Sequence, residues 1–516
     1  MSRNPLPFRL AATALVFGLA AVLAVGAFAA PPSSPGKGDR DALTIEEMQA
    51  RMQQLQSWLS SETPGRAGDN PIRISISDQD RASFSGKEIP LKIGLVKAVS
   101  PRVVVSDLDA AGISKAERPM AGGVLQATDD GGFIWARSIV SPGAQAIRVH
   151  ISDFDLPPSA DLYFYSKSGE AYGPYQRNGP NRDGDFWTAS VASPEGILVL
   201  RQFGPATANE MRQLTFAITE VGHVGGRPAP TPSPEVALNC GNPSCVEDAA
   251  CYLSSPVPED AIAKMEWIAG AFIYTCSGGL MADQDNNSST NYFLTANHCL
   301  NRTRDAQNVE FYWRFRKSSC GGSCPSNNGW PYHTTGASVA ATGTGGDFTL
   351  LQLSTLPPSG TPALANDHTT NAANTNNLAL YRISNPNFGP QAYSQHNVST
   401  SAPTCTGWPR GERIYSRDIT GATDGGSSGS PVLNGSGQVV GQLSGSCGTN
   451  VNDPCDAQNN ATVDGALFFY WNSVSSFLGS GGGGGCTLGQ PGDSCNTNAD
   501  CCSNNCKGPS GRKTCR

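Results

Sequence analysis

The chain has 516 residues, 38% of them apolar and 15% charged, with 58 glycines and a formal net charge of -7. That length exceeds one ordinary hydrophobic core and predicts two to four folded units, and the composition excludes both a disordered acidic chain and a bundle of membrane spans. An acidic chain without a basic stripe is also a poor partner for nucleic acid or an anionic membrane, so neither is expected.

The N-terminus carries Arg3 and Arg9, an apolar stretch over 10–28 and the small-x-small run Ala27-Phe28-Ala29, which reads as a secretory signal over residues 1–30. Within 41–60, Leu43, Met48, Met52, Leu55 and Leu59 recur at helical spacing among Glu and Gln. This predicts an amphipathic helix acting as a lid or spacer. Between 70 and 225, short apolar or alternating runs at 72–77, 133–140, 147–151, 162–165, 197–200 and 214–221 are separated by Pro, Gly, Asp and Asn. A β-sandwich is the expected outcome. The proline-rich run 227–234 marks a domain boundary, because proline holds the chain extended and cannot donate to a ladder. Residues 237–478 form the next domain, 479–485 a glycine-rich linker and 486–516 a separate module, so the fold class is mainly β throughout.

All sixteen cysteines lie beyond residue 239, which places the chain in an oxidising compartment and confines disulfides to the C-terminal half. Three motifs in that half carry chemistry. Thr295-Ala296-Asn297-His298-Cys299 follows an apolar run and sets a histidine beside a cysteine that can reach back to Cys276. Gly345-Gly346-Asp347-Phe348-Thr349-Leu350-Leu351 puts an acid at the mouth of a buried strand, where it can orient an imidazole. Gly425-Gly426-Ser427-Ser428-Gly429-Ser430-Pro431 allows a tight turn whose N–H groups point inward, with Gly426 and Ser428 as oxyanion donors. The order His298, Asp347, Ser428 within a strand-rich, disulfide-bearing chain points to acyl transfer through an acyl-enzyme, a chemistry that requires neither cofactor nor metal.

These motifs, together with Gly441-Gln442-Leu443, resemble the chymotrypsin superfamily and, within it, the secreted bacterial lysyl endopeptidases, over about residues 240–478. The resemblance implies two six-stranded antiparallel barrels with the active site between them, and a serine endopeptidase acting on proteins or peptides. It also implies disulfides Cys276–Cys299, Cys245–Cys447 and Cys251–Cys320, and leaves Cys240, Cys324, Cys405 and Cys455 unassigned.

Lysine preference in that family depends on an aspartate three residues before a strand glycine; with Gly465 as that glycine, the position falls on Thr462. A neutral threonine cannot pair with lysine. Asp464, on the same strand face, and Asp424 are the alternative acids, so basic and small-to-apolar preferences both stand open. The residue before the nucleophile is Ser427, where animal trypsins carry an acid that pairs with the freed N-terminus. Activation is therefore expected to depend on removal of residues 31–236, a propeptide that assists folding and covers the cleft.

The tail spaces Cys486, Cys495, Cys501, Cys502, Cys506 and Cys515 as in inhibitor cystine knots, implying Cys486–Cys502, Cys495–Cys506 and Cys501–Cys515. Its basic residues Lys507, Arg512, Lys513 and Arg516 suggest docking on an acidic surface or polymer. A catalytically silent adhesion protein on a protease scaffold, or an esterase using the same triad, are the competing readings.

Overall fold

The computed structural model describes residues 42–479 except 85–87, 107–112, 226–238, 284–290, 326–329 and 331, plus the backbone of 506–507 and 514–515. The signal segment, the proline-rich run, residues 480–485 of the linker and the cysteines proposed for the knot lie outside these residues, apart from the short ladder Cys506↔Cys515.

The helix Ile45–Glu62 starts on Thr44, whose hydroxyl accepts from Glu47 N while the Glu47 carboxylate takes Thr44 N, closing a capping box. The helix is neither lid nor spacer. Its buried Leu55 and Leu59 pack on Ile134, Ala136, Tyr163, Tyr165, Ile197 and Val199, which form one face of a sheet.

Eleven strands follow: β1 (Ile72–Arg73), β2 (Leu91–Val105), β3 (Arg118–Met120), β4 (Gly123–Ala127), β5 (Phe133–Val140), β6 (Ala146–Asp155), β7 (Ala160–Tyr165), β8 (Ala171–Tyr175), β9 (Phe186–Trp187), β10 (Glu195–Gln202) and β11 (Thr215–Val224). The sheet β3-β4-β5-β10-β7-β8 faces the β2-β11-β6-β9 layer across a core of Trp135, Leu162, Phe164, Leu198, Leu200 and Phe216. Because β5, β7 and β10 are apolar on both faces, a sandwich alone would leave one face wet, and the helix forms the third layer that covers it.

The second domain contains β12 (Glu247–Asp248), β13 (Ile262–Ala269), β14 (Phe272–Met281), β15 (Tyr292–Ala296), β16 (Glu310–Trp313), β17 (His333–Thr335), β18 (Ala337–Gly343), β19 (Phe348–Leu353), β20 (Ala379–Ser384), β21 (Ala392–Val398), β22 (Arg413–Thr420), β23 (Pro431–Leu433), β24 (Val439–Gly448) and β25 (Asn460–Ala466). Strands β20-β23-β24-β25-β22-β21 close into a six-stranded antiparallel barrel. Strands β16-β13-β14-β15-β19-β18 form its six-stranded counterpart, which remains open between β16 and β18. An apolar seam including Leu294, Phe348, Leu350, Ile383 and Leu433 is covered by the helix Leu467–Leu478.

Five disulfides link the ten cysteines of this domain: Cys240–Cys324, Cys245–Cys455, Cys251–Cys320, Cys276–Cys299 and Cys405–Cys447. The expected Cys245–Cys447 bridge is not formed. Cys447 lies on β24 within an apolar cluster beside Tyr415, and the 399–412 loop brings Cys405 to a Cα distance of 5.8 Å. Cys245 instead meets Cys455, in the loop between β24 and β25, at 5.5 Å. A disulfide needs Cα atoms within about 7 Å, a condition that sequence spacing cannot test.

The two domains share one sheet, because β2 pairs with β14. A buried polar cluster adds to this contact: Arg148 donates to Asn308 O and lies 3.2 Å from the Glu310 carboxylate, which also accepts from Ser190 N and Oγ. Burial opposes ionisation of Glu310, but Arg148 and His333 outweigh it and hold its carboxyl at about 2. The folded value lies below the ordinary one, so this stabilisation is complete above about pH 4.5 and is lost as pH falls toward 2, weakening the domain contact in acid and not in base. Arg148→Met takes the guanidinium from a buried carboxylate and is expected to cost roughly 3–5 kcal/mol in urea unfolding of the full-length chain. A loss under about 1 kcal/mol would show that water reaches Glu310.

Candidate active site

Asp347 closes the turn between β18 and β19 with φ at +53°, a left-handed conformation unusual for a residue with a Cβ. The turn is held by Asp347 N donating to Thr344 O, and by Gln442 Nε2 donating to the carbonyls of Gly346 and Asp347, each at 2.9 Å. The carboxylate holds His298 twice, accepting from its backbone N at 3.0 Å and from its ring Nδ1 at 2.8 Å. Asn297 N donates to Asp347 O, and the Cys276–Cys299 bridge ties the far side of the histidine loop to β14. With Nδ1–H committed to the acid, Nε2 is the basic nitrogen.

Ser428 sits on the turn before β23, where Ser427 N donates to Asp424 O and Ser430 N to Ser427 O. Two of the three glycines of this turn have positive φ, +95° at Gly426 and +81° at Gly429. A Cβ at Gly429 would lie 2.2 Å from Thr295 Oγ1, so the nucleophile turn abuts the strand that delivers His298. Ser277 holds this loop through both ends of its polar backbone and side chain. Its N–H donates to Ser428 O at 2.8 Å, its hydroxyl donates to Gly426 O at 2.9 Å, and the same oxygen accepts from Asn385 N. With both carbonyls turned onto Ser277, the N–H groups of Gly426 and Ser428 have no hydrogen-bond partner among the described residues.

Ser277 and the role of Gln442, a residue of one quoted motif, escaped sequence reasoning because each engages backbone atoms distant in sequence. Ser427, fully buried, accepts from Ser384 Oγ and Asp424 N. Asp424 spends its carboxylate on Gly425 N and Asn387 Nδ2, shaping the loop.

Asp464 does not reach a pocket. It is fully buried and paired with the equally buried Arg382 inside the closed barrel, and burial pushes its carboxyl up despite that guanidinium. Its neighbour on the same face, Thr462, donates to Asp418 Oδ1 at 2.6 Å. The same oxygen takes His396 Nδ1 at 2.7 Å. Burial raises the Asp418 carboxyl, but the His396 charge and these two hydrogen bonds outweigh it and hold the group below the usual carboxylate range. Asp418 lies on β22, the strand that runs into the nucleophile turn, and keeps 14% of its side chain exposed. No sequence motif marks it.

A closed barrel and an open six-stranded partner make a two-barrel fold of the chymotrypsin type, with the partly buried His298–Asp347 pair on one barrel and the Ser428 turn on the other. Residues 241–461 match the family described as lysyl endopeptidase, C-terminal domain. Over 211 residues the chain is 29% identical to the lysyl endopeptidase of Pseudomonas aeruginosa, an alignment that takes in 39% of this chain and 44% of that protein. The chain therefore matches less than half the length of that relative. Among solved structures, it is similar to the active form of the Rv3671c protease from M. tuberculosis at 15% identity and a TM-score of 0.30, covering 50% of this chain and 92% of that one. It is also similar to the serine endoprotease from Yersinia pestis at 15% identity and a TM-score of 0.29, covering 42% and 61%.

Ser277→Ala removes the hydroxyl that anchors Gly426 O and is expected to slow fluorophosphonate labelling of Ser428 by at least about tenfold, with the fold retained by circular dichroism. Labelling at the wild-type rate would mean that the backbone N–H of residue 277 suffices.

Proposed function

We propose that the chain is a secreted serine endopeptidase made as a precursor. The supporting observation is the doubly held Asp347–His298 pair together with a serine turn whose Gly426 and Ser428 amides have no partner among the described residues. In this reading Ser428 Oγ attacks the scissile carbonyl while His298 Nε2 takes its proton. Asp347 steadies the imidazolium, and the amides of Gly426 and Ser428 hold the oxyanion. His298 then protonates the leaving amine, and water repeats the sequence on the acyl-enzyme.

The N-terminal domain serves as folding aid and inhibitor, an assignment supported by its shared sheet and buried charges with the catalytic domain. Ser427 is held by a hydroxyl and an amide, so activation needs no ammonium pairing at that position. Secretion is supported by the N-terminal signal pattern and by five disulfides. No helix among the described residues is long and apolar enough to cross a membrane. The basic C-terminal module then acts as a tether to an acidic surface or polymer.

The preferred residue on the acyl side is basic, with Asp418 as its counter-charge, since this acid is held ionised and partly exposed at the foot of the strand entering the nucleophile turn. Asp418→Asn is expected to lower kcat/KM for Lys and Arg peptides by about 10²-fold while sparing apolar ones, in line with a lost charge pair of a few kcal/mol. An unchanged library profile would reject this assignment. For the reaction itself, processed wild type should label with fluorophosphonate and Ser428→Ala should not; a folded, processed wild type that fails to label overturns the peptidase reading.

A further inference from the structure

The second edge of β14 carries three partners in succession. Gly279–Met281 pair with β15, Ser277 N donates to Ser428 O, and Phe272–Thr275 pair with β2 of the N-terminal domain. The β2 ladder therefore begins where the nucleophile ends. It is antiparallel, with Leu95 opposite Phe272 and Leu91 opposite Thr275, so the N-terminal end of β2 is the end nearest Ser428. Leu91 is buried, and its side chain lies 3.6 Å from where a Cβ on Gly425 would be, against the residue next to oxyanion donor Gly426.

A substrate laid across Ser428 with this polarity would place the residues following its scissile bond along Phe272–Thr275. We infer that Leu91–Leu95 occupies the leaving-group half of the substrate cleft in the precursor, as an intramolecular competitor for the β14 edge. The inference rests on the peptidase reading above and specifies how the N-terminal domain restrains it. Main-chain pairing supplies the affinity, as in β-strand addition generally, and Leu91 supplies the anchor with Ile273, Ile268 and Phe388. Among the described residues, the segment turns away from its ladder ahead of Leu91. The chain bends at Ile89 and Pro90, leaves Ile89 59% exposed, and folds back so that Glu88 pairs with Lys92. On this inference the inhibitor blocks the leaving-group side with Leu91–Leu95 and leaves the acyl half of the site to the substrate.

The test compares full-length and processed chains with two probes. One is a fluorophosphonate, whose leaving group is only fluoride; the other is a quenched peptide extending several residues beyond the scissile bond. The full-length chain should label at close to the processed rate yet cleave the long peptide at least about tenfold more slowly, a difference of about 1.4 kcal/mol. Leu91→Asp in the full-length chain should recover that peptide rate. Since Leu91→Asp also perturbs packing, a synthetic peptide of residues 88–96 added to processed wild type should compete with the long peptide and leave labelling untouched. Equal peptide cleavage by both forms, or labelling blocked as fully as cleavage, overturns the inference while leaving the peptidase intact; absence of labelling in the processed chain overturns both.

Discussion

The hydrogen bonds along β14 are the constraint on which the rest of the molecule depends. A strand in the middle of a sheet must pair its backbone on both sides, and β14 meets this requirement on one side with β13 alone. On the other it uses β15, the nucleophile loop and a strand from another domain in turn. Cys276 on this strand anchors the histidine loop and Ser277 anchors the oxyanion loop. Two adjacent residues thereby fix the loops of His298 and Ser428, the proposed base and nucleophile.

Buried charge plays two different parts. Inside the closed barrel, Arg382 and Asp464 neutralise each other where no water can reach, a pair whose desolvation makes it a weak source of stability but a strong penalty if broken. At the domain contact, Arg148 from one domain meets Glu310 from the other, so the same physics applies only while the domains are docked. In the proposed maturation, loss of the N-terminal domain would return Glu310 to water, and its ionised state would no longer need a guanidinium. An interface built this way is specific in register yet compatible with release.

The N-terminal domain also shows why amphipathicity underdetermines placement. The apolar stripe of the helix Ile45–Glu62 says that it must dock, and the doubly apolar strands β5 and β10 say that some sheet needs covering on two faces. Each needs the other, and the helix lies on the sandwich and not over the cleft.

Local pattern determined the mainly β architecture, the approximate limits of that helix and the placement of His298, Asp347 and Ser428 at strand ends, because turn glycines, alternating apolar runs and short motifs are properties of neighbouring residues. The bridge from Cys245 to Cys455, the roles of Ser277 and Gln442, the burial of Asp464 under Arg382, the exposure of Asp418 and the seating of β2 on β14 were decided by tertiary structure alone. Each depends on distances between groups from tens to roughly two hundred residues apart, and no one-dimensional spacing encodes which side chain a closing barrel turns inward or which edge it leaves for a partner strand.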